Sequence, residues 1–459
     1  MTTSTTTLSI PDLRAALAGR VVTADDPDYD DVRRVWPGNI DGRPGLIVRV
    51  ANAADVATAI ATARTTGLEL AVRCGGHNAV GHSTTDGGLV IDVSDLKELD
   101  IDVDGRTAWA GSGLTAAEYS TAVGEHGLAT GFGDTGSVGV AGITLGGGIG
   151  YLVRKFGMTI DSLLAAEIVT ADGDVLHVDA DHHPDLFWAI RGGGGNFGVV
   201  TRFRFQLHDV SAFTGGLLVL PATAETVAGF VAAADAAPDE LSTIANVMPC
   251  PPLPFVPEEH HGELVIFAIV GCVAEPDAAA AAIAPLRALA TPLGDMVQPM
   301  PYPSIYPPED PDYRPKAANR TFFLDRVDLE TATLIVDRLT ASDATMRVTQ
   351  LRALGGAMAR VPADATAFAH RGSRIMATVA AFYEGRDDQL VRERWVADFH
   401  RDLQQDDTGA YVNFVGDEGE ERIRAAYPGA TWDRLREVKR RYDPDNVFRR
   451  NQNVPPAEG

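Results

Sequence analysis

Residues 131–150 read GFGDTGSVGVAGITLGGGIG, and a second glycine-dense run, RGGGGNFG, fills residues 191–198. Such density suits neither a helix interior nor a strand interior, because glycine loses more chain entropy on ordering than any other residue. What it permits is close approach, since backbone N–H groups without a neighbouring Cβ can meet a pyrophosphate or a flat ring. The stretch Gly146-Gly147-Gly148-Ile149-Gly150 therefore reads either as a ligand-facing segment or as a tight buried turn. Gly193 to Gly198 matches G-x-G-x-x-G literally, but a helix signal (HPDLFWAI) precedes it and an alternating strand (VVTRFRFQL) follows. A Rossmann site needs the reverse order, so the match carries no dinucleotide fingerprint.

A third glycine site, Arg73-Cys74-Gly75-Gly76-His77-Asn78, follows the strand signal LELAVR, with Gly81 and His82 close behind. Paired glycines there suit a diphosphate. The histidine can be a structural residue, a base, a metal ligand or a covalent attachment point. No carboxylate or second Cys/His cluster completes a metal set around Cys74, His77 and His82, so no metal is expected. Cys74 continues an apolar strand, whereas a thiol nucleophile should be partly exposed near a cation. His182-His183 and His260-His261 lie in polar loops and read as surface residues.

Between these sites the pattern is α+β. LIVRV (46–50), a helix capped by Asp55 and stopped by Gly67, and LELAVR give strand, helix, strand. Asp104-Gly105 and Asp172-Gly173 each sit between apolar runs as hairpin turns, and Thr115 to Gly127 reads as a capped helix. Composition shifts near residue 209. Residues 213–400 carry Ala-rich helices (222–236 and 276–290), strands such as ELVIFAIV, and PYPSIYPPEDPDYRP (301–315), expected to be an ordered surface loop. The C-terminal stretch reads strand, helix, helix, tail, with Asp443-Pro444 halting the last helix. The basic run Arg434 to Arg441 is expected on that helix's solvated face, opposite Leu435, Val438 and Tyr442.

Length and charge bound the function. The 459 residues suit two or three domains and set no oligomeric state. Acidic residues outnumber basic ones 63 to 39, and the net charge of −24 repels phosphate backbones and anionic lipid, so neither nucleic acid nor a membrane is an expected partner. Three cysteines make no disulfide framework. No apolar stretch is long enough to span a bilayer, and the start lacks a basic, then apolar, leader. A cytoplasmic location is the expectation, with the Ser/Thr-rich first seven residues frayed.

RCGGHN, SVGVAGITLGGGIG, PDLFWAIRGGGGNFGVVTRF and YVNF…RRYDPDNVFRRNQN occur in that order. Together they resemble the berberine-bridge-enzyme-like flavoprotein oxidases of the vanillyl-alcohol-oxidase superfamily, over about residues 35–210 and 405–457. The resemblance implies an α+β fold: a two-subdomain FAD-binding domain (1–210), a substrate domain with an antiparallel sheet backed by helices (211–404), and a C-terminal segment (405–459) returning to the FAD domain. It implies FAD bonded through its 8α-methyl to His77. Arg73, Cys74, Gly75, Gly76, Asn78 and Gly81 would wrap the diphosphate. Gly139, Gly142, Gly146 and Gly147 would form a second wall, Val199 and Val200 the adenine end. Tyr411 and Asn413, on a C-terminal strand, would face the isoalloxazine, with Asn451 and Asn453 in the closing tail. Val138 matches a position that gates oxygen, and a small aliphatic residue there resembles the oxidases.

Three departures from the family pattern matter. Thr135 stands where many relatives carry a second, cysteinyl flavin bond, so attachment is expected once. Gln350 occupies the place of a glutamate base, and Phe414 that of a tyrosine base. Tyr411, Arg352 and His370 remain as candidates. Tyr411 would need a nearby cation to lower its pKa; Arg352 would supply it or bind an acidic substrate group. The implied activity is hydride transfer from an alcohol or amine C–H of a small organic molecule, with molecular oxygen reoxidising the flavin. The alternatives are a dehydrogenase using another acceptor and a non-redox cyclase or binding protein.

Overall fold

The computed structural model describes residues 9–310 and 312–458; the first seven residues, expected to fray, lie outside them. Three main sheets organise the described residues, and a two-stranded ribbon pairs Leu128–Ala129 with His208–Asp209. In the first sheet, Leu46–Arg49 and Leu70–Arg73 both run parallel to Leu89–Asp92, which lies between them, and Arg20–Val22 adds an antiparallel edge. The helix Ala53–Thr66 makes the crossover, stopped by Gly67 at φ +71°. Its cap is Asn52, whose side chain accepts from Asp55 N–H at 3.0 Å, and not Asp55 as the sequence suggested. Asp55 stands three residues further on, where its carboxylate accepts from the N–H groups of Ala18, Gly19 and Ala51 and ties down the N-terminal strand.

The second sheet is antiparallel throughout, in the spatial order Leu99–Asp102, Thr107–Gly111, Val199–Gln206, Leu163–Val169, Val175–Asp179. Both Asp-Gly hairpins lie where their turns predict. Thr115 caps the helix Ala116–Gly124 with a full capping box to Glu118. The glycine run is not all loop: Val140–Gly146 forms a short helix.

The third sheet has eight strands, all antiparallel neighbours, drawn from between Thr214 and Phe382. Helices Ala224–Ala236, Pro276–Arg287, Leu329–Ala341 and Gly385–Leu403 bury apolar faces with one side of it in a continuous core. The period-2 alternation of strands leaves Val348, Gln350 and Arg352 on the other side, facing the glycine loops. The proline-rich stretch is more anchored than a surface loop: Tyr302, Ile305 and Tyr306 are buried in the core of the second sheet, while Pro307 to Asp310 are exposed.

The C-terminal stretch returns to the first two sheets. Val412–Phe414 is a single 3-10 turn and not the strand expected. Asp443 ends the helix Ala430–Tyr442 as the Asp-Pro pair predicts. Its basic run is not wholly solvated, because Lys439 is completely buried against Asp443. No helix among the described residues is long and apolar enough to cross a membrane.

Two histidines outside the cavity described below set an acid sensitivity. His208 stacks on Phe156 with ring centroids 4.3 Å apart, and His400 packs edge-on to Phe322. Burial pushes both imidazoles down to about 4, so both are neutral at pH 7. Below the ordinary value of 6.5 the unfolded chain binds protons that the folded chain refuses, so stability falls as pH drops from 6.5 towards 4. Each proton of difference is worth about 1.4 kcal/mol per pH unit. Thermal midpoints measured across that range should decline, and His208→Gln with His400→Gln should flatten the decline; an unchanged slope in the double variant would remove these two groups as its source.

Candidate active site

Three glycine-bearing loops and the open face of the third sheet enclose a cavity of about 520 Å³. The loop after Leu70–Arg73 gives one wall, through Cys74, Gly75, Gly76, His77 and Asn78. Asn78 Oδ1 accepts from Val80 N–H at 3.1 Å and His82 N–H at 3.0 Å, which fixes the loop as an Asx turn. Val138, Gly139 and Gly142 give the second wall. A Cβ on Gly139 would lie 2.2 Å from Cys74 Sγ, so the two loops meet only because that residue is glycine. Val199 and Val200, with Gly194 and Gly195, close the third side. Asn451 seals the tail against it, donating from Nδ2 to the carbonyls of Gly195 (3.0 Å) and Phe448 (3.1 Å).

Two observations fit this space to a large ligand with a polar body. At Gly142 and Gly195, both on the lining, a Cβ would meet no heavy atom within 4 Å. His82 Nδ1, Ser83 Oγ and Asn451 Oδ1, on lining residues, are buried without a hydrogen-bond partner in the protein. Each buried orphan of this kind costs roughly 1–3 kcal/mol, which a ligand's hydrogen bonds would offset.

Five of the expected cofactor residues lie off the wall. Arg73 holds Asp92 at 2.6 Å and the Val32 carbonyl at 2.7 Å, so its Nη2 braces the first sheet. Gly81 turns the chain behind the loop, where a Cβ would press on Ile40. Gly146 and Gly147 seat the C-terminal turn: a Cβ on Gly146 would fall 2.0 Å from Asn413 Oδ1, and Gly147 has φ +135°. Here the buried-turn alternative for the glycine run describes the structure. Asn453 is not on the lining, although its neighbour Gln452 is.

Over the remaining cavity, Gln350 and Arg352 form one clamp. Arg352 donates to Gln350 Oε1 from Nε (2.9 Å) and Nη2 (2.6 Å), to the Ile149 carbonyl from Nη1 (3.3 Å), and to Asp134 Oδ2 from Nη2 (2.5 Å). Gln350 Nε2 donates in turn to Asn246 Oδ1 at 2.9 Å. Arg352 is thus neutralised by Asp134, which corrects its reading as a seat for an acidic substrate group.

Tyr411 and Asn413 both face the cavity. The Tyr411 hydroxyl accepts from Gly148 N–H at 2.8 Å and from Asn413 Nδ2 at 2.9 Å. Complete burial raises its pKa above 10, outweighing those hydrogen bonds and the Arg352 charge, so the expected phenolate base is not formed at neutral pH. His370 lies off the wall, its Nε2 bonded to the Ala425 carbonyl at 2.8 Å. The Cys74 thiol donates to the Ser112 carbonyl, and burial pushes it up to about 12, far from a nucleophile. No group of metal-ligating side chains occurs among the described residues.

His77 stacks on Trp36, with centroids 4.9 Å apart and planes 21° from parallel, and burial lowers its pKa to about 4. Trp36 and Asp134, both on the lining, escaped the sequence reading. Asp134 sits one residue before Thr135 inside the glycine run, and its clue was being the lone acid there. Trp36-Pro37-Gly38 carries no periodic signal at all.

Residues 44–179 match an FAD binding domain model, and residues 410–455 match the "berberine and berberine like" model. An uncharacterised FAD-linked oxidoreductase of Bacillus subtilis, YgaK, is 31% identical over 96% of this chain and 98% of its own. The (R)-6-hydroxynicotine oxidase of Paenarthrobacter nicotinovorans is 30% identical over 96% of this chain and 97% of its own. The crystal structure of 6-hydroxy-D-nicotine oxidase from Arthrobacter nicotinovorans superposes with a TM-score of 0.86, at 28% identity, over 98% of this chain and 100% of that one. A chitooligosaccharide oxidase, 19% identical with a TM-score of 0.83 over 97% of this chain and 99% of its own, shares the fold.

Proposed function

The chain belongs to the berberine-bridge-enzyme-like FAD-linked oxidoreductases, and from that premise we propose that it is an oxidase carrying FAD on a single bond to His77 and acting on a small neutral organic alcohol or amine. FAD would supply the redox chemistry there, an acceptor for the hydride of the substrate C–H and a donor of that electron pair to dioxygen, giving hydrogen peroxide. The loops around Gly75, Gly139, Gly142 and Gly195 would hold it, with the orphaned atoms of His82, Ser83 and Asn451 as partners. The observation that carries the reading is that His77, a neutral imidazole, lies on the wall of the cavity in which Gly142 and Gly195 leave open space.

The protein residues bind, orient and take the proton. Asn319, Gln350 and Thr378 project from the third sheet beside Ala380 and Phe382, a mixed amide, hydroxyl and apolar surface. The one cationic side chain set among them, Arg352, is matched by Asp134, which favours an uncharged substrate. Asp134 is the one carboxylate on the lining among the described residues and is the group assigned to accept the substrate's O–H or N–H proton. Arg352 and the Thr135 hydroxyl, each donating to one of its oxygens, fix its orientation. Val138 lines the cavity as the small aliphatic residue expected of an oxidase.

The test combines colour and gas. Acid precipitation of the purified protein should leave the yellow in the pellet, with one FAD on the peptide that contains His77. Neutral aromatic and aliphatic alcohols and amines should then be screened for anaerobic bleaching, followed by peroxide release in air. Bleaching with no peroxide would transfer the chain to the dehydrogenases, and a flavin that no substrate bleaches would favour the non-redox reading.

A further inference from the structure

His77 ends a hydrogen-bonded line whose outer member, Glu309, no family motif marks. Its Nε2 lies 3.0 Å from Ser137 Oγ, and Ser137 Oγ lies 2.5 Å from Glu309 Oε2. Ser137 N–H donates to the other carboxylate oxygen, Glu309 Oε1, at 2.9 Å. A carboxylate only accepts, so the single hydroxyl hydrogen of Ser137 is committed to Glu309. Its oxygen is left to accept from His77, which puts the ring hydrogen on Nε2 and leaves the lone pair on Nδ1. Trp36 fixes the ring plane by stacking. Glu309 is exposed, at the outer end of the proline-rich stretch.

We propose that Ser137 and Glu309 are positioning residues for flavin attachment: they hold His77 as the Nε2–H tautomer, leave Nδ1 as the nucleophile, and carry the Nε2 proton out to solvent as the bond forms. This rests on the covalent reading above. In balance, the Nδ1–C8α bond forms and one C–H bond of the 8α-methyl breaks, releasing a proton. The imidazole releases its Nε2 proton through Ser137 to Glu309. The electron pair of the broken C–H bond reduces the ring system by two electrons, and dioxygen removes them as hydrogen peroxide, taking up two protons. The charged groups that face His77 are Glu309 and Asp134, which favour its protonation, and Arg314, which opposes it; burial outweighs them and keeps the ring neutral. Because Glu309 comes from the proline-rich stretch packed on the second sheet and His77 from the loop after the first sheet, attachment would wait until the two are packed together.

The test compares wild type, Ser137→Ala, Glu309→Gln and Glu309→Asp as purified full-length proteins incubated with excess FAD. The readout is the acid-stable fraction of bound flavin over time, across neutral to alkaline pH, with the linked ring nitrogen assigned by NMR of the flavin peptide. Glu309→Gln and Ser137→Ala should bind flavin but attach it about 10²-fold more slowly at neutral pH, the scale of a lost proton acceptor. Higher pH and Glu309→Asp should each restore the rate, which a purely structural role would not produce. Attachment at the wild-type rate in both variants, or a link through Nε2, would overturn the relay and leave the covalent reading intact. A wild-type protein that releases all its flavin in acid overturns both.

Discussion

His77→Ala should bind FAD yet surrender all of it to the acid supernatant. The expectation is absolute because no second bond can form. The family resemblance would place a second, cysteinyl bond at Thr135, and Cys74, the one cysteine on the lining among the described residues, is protonated and bonded to a carbonyl. Non-covalent binding should persist, since the variant leaves the glycine walls and the Asn451 seal untouched. A histidyl bond is expected to raise the flavin potential, and about 30 mV is worth about 1.4 kcal/mol for a two-electron couple. Loss of that much driving force would slow bleaching by a reducing substrate up to tenfold. Absorbance of the acid supernatant and stopped-flow bleaching measure the two effects. Acid-stable flavin in the variant would place the attachment elsewhere.

Lys439→Met should lower the unfolding free energy by about 3–5 kcal/mol, the usual cost of removing one partner of a buried ion pair. Lys439 Nζ donates to Asp443 Oδ2 (2.6 Å), the Asn196 carbonyl (2.7 Å) and the Phe448 carbonyl (2.8 Å), so all three of its hydrogens are used. Asp443 in turn accepts from Val447 N–H (2.7 Å) and Phe448 N–H (2.9 Å). One buried pair thus fastens the last helix and the tail to the glycine loop that ends at Gly198. Methionine would leave a carboxylate without its cation and the Asn196 carbonyl without its donor, while the Phe448 carbonyl would keep only Asn451 Nδ2. Denaturant titration should show a lower midpoint at constant slope. Adding Asp443→Leu should recover part of the loss, because it removes the stranded charge. A change below 1 kcal/mol in the single variant would mean that water reaches the site and the pair is not a fastener. In the His77→Ala background the same variant should weaken non-covalent FAD binding, since Phe448 lines the cavity.

The Asp-Gly hairpins, the Thr115 capping box and the Gly67 stop were legible because each depends on residues a few positions apart. Glycine runs marked where backbone must approach something, but not what. At Gly139 and Gly142 the space adjoins the cavity; at Gly146 and Gly147 it admits Asn413 and Tyr411, which lie more than 260 residues away in sequence. Arg73 and Lys439 misled because packing sets what buries a charge: Asp92 meets Arg73 only in the fold, and Lys439, four residues before Asp443, is buried with it against the distant Asn196 carbonyl.

The sequence alone determined the α+β class, the absence of a Rossmann order around Gly193 to Gly198, and the family resemblance. Those properties follow from local periodicity, turn chemistry and motif order. Only the tertiary structure decided which glycines open onto the cavity, that Arg352 is spent on Asp134 and Gln350, that Tyr411 stays protonated, and that Glu309 reaches His77 through Ser137. Arg352 with Asp134, Gly148 with Tyr411, and Ser137 with Glu309 each join residues distant in sequence, and at the first two the removal of water makes hydrogen bonds and charges decisive. No spacing along the chain encodes such a meeting.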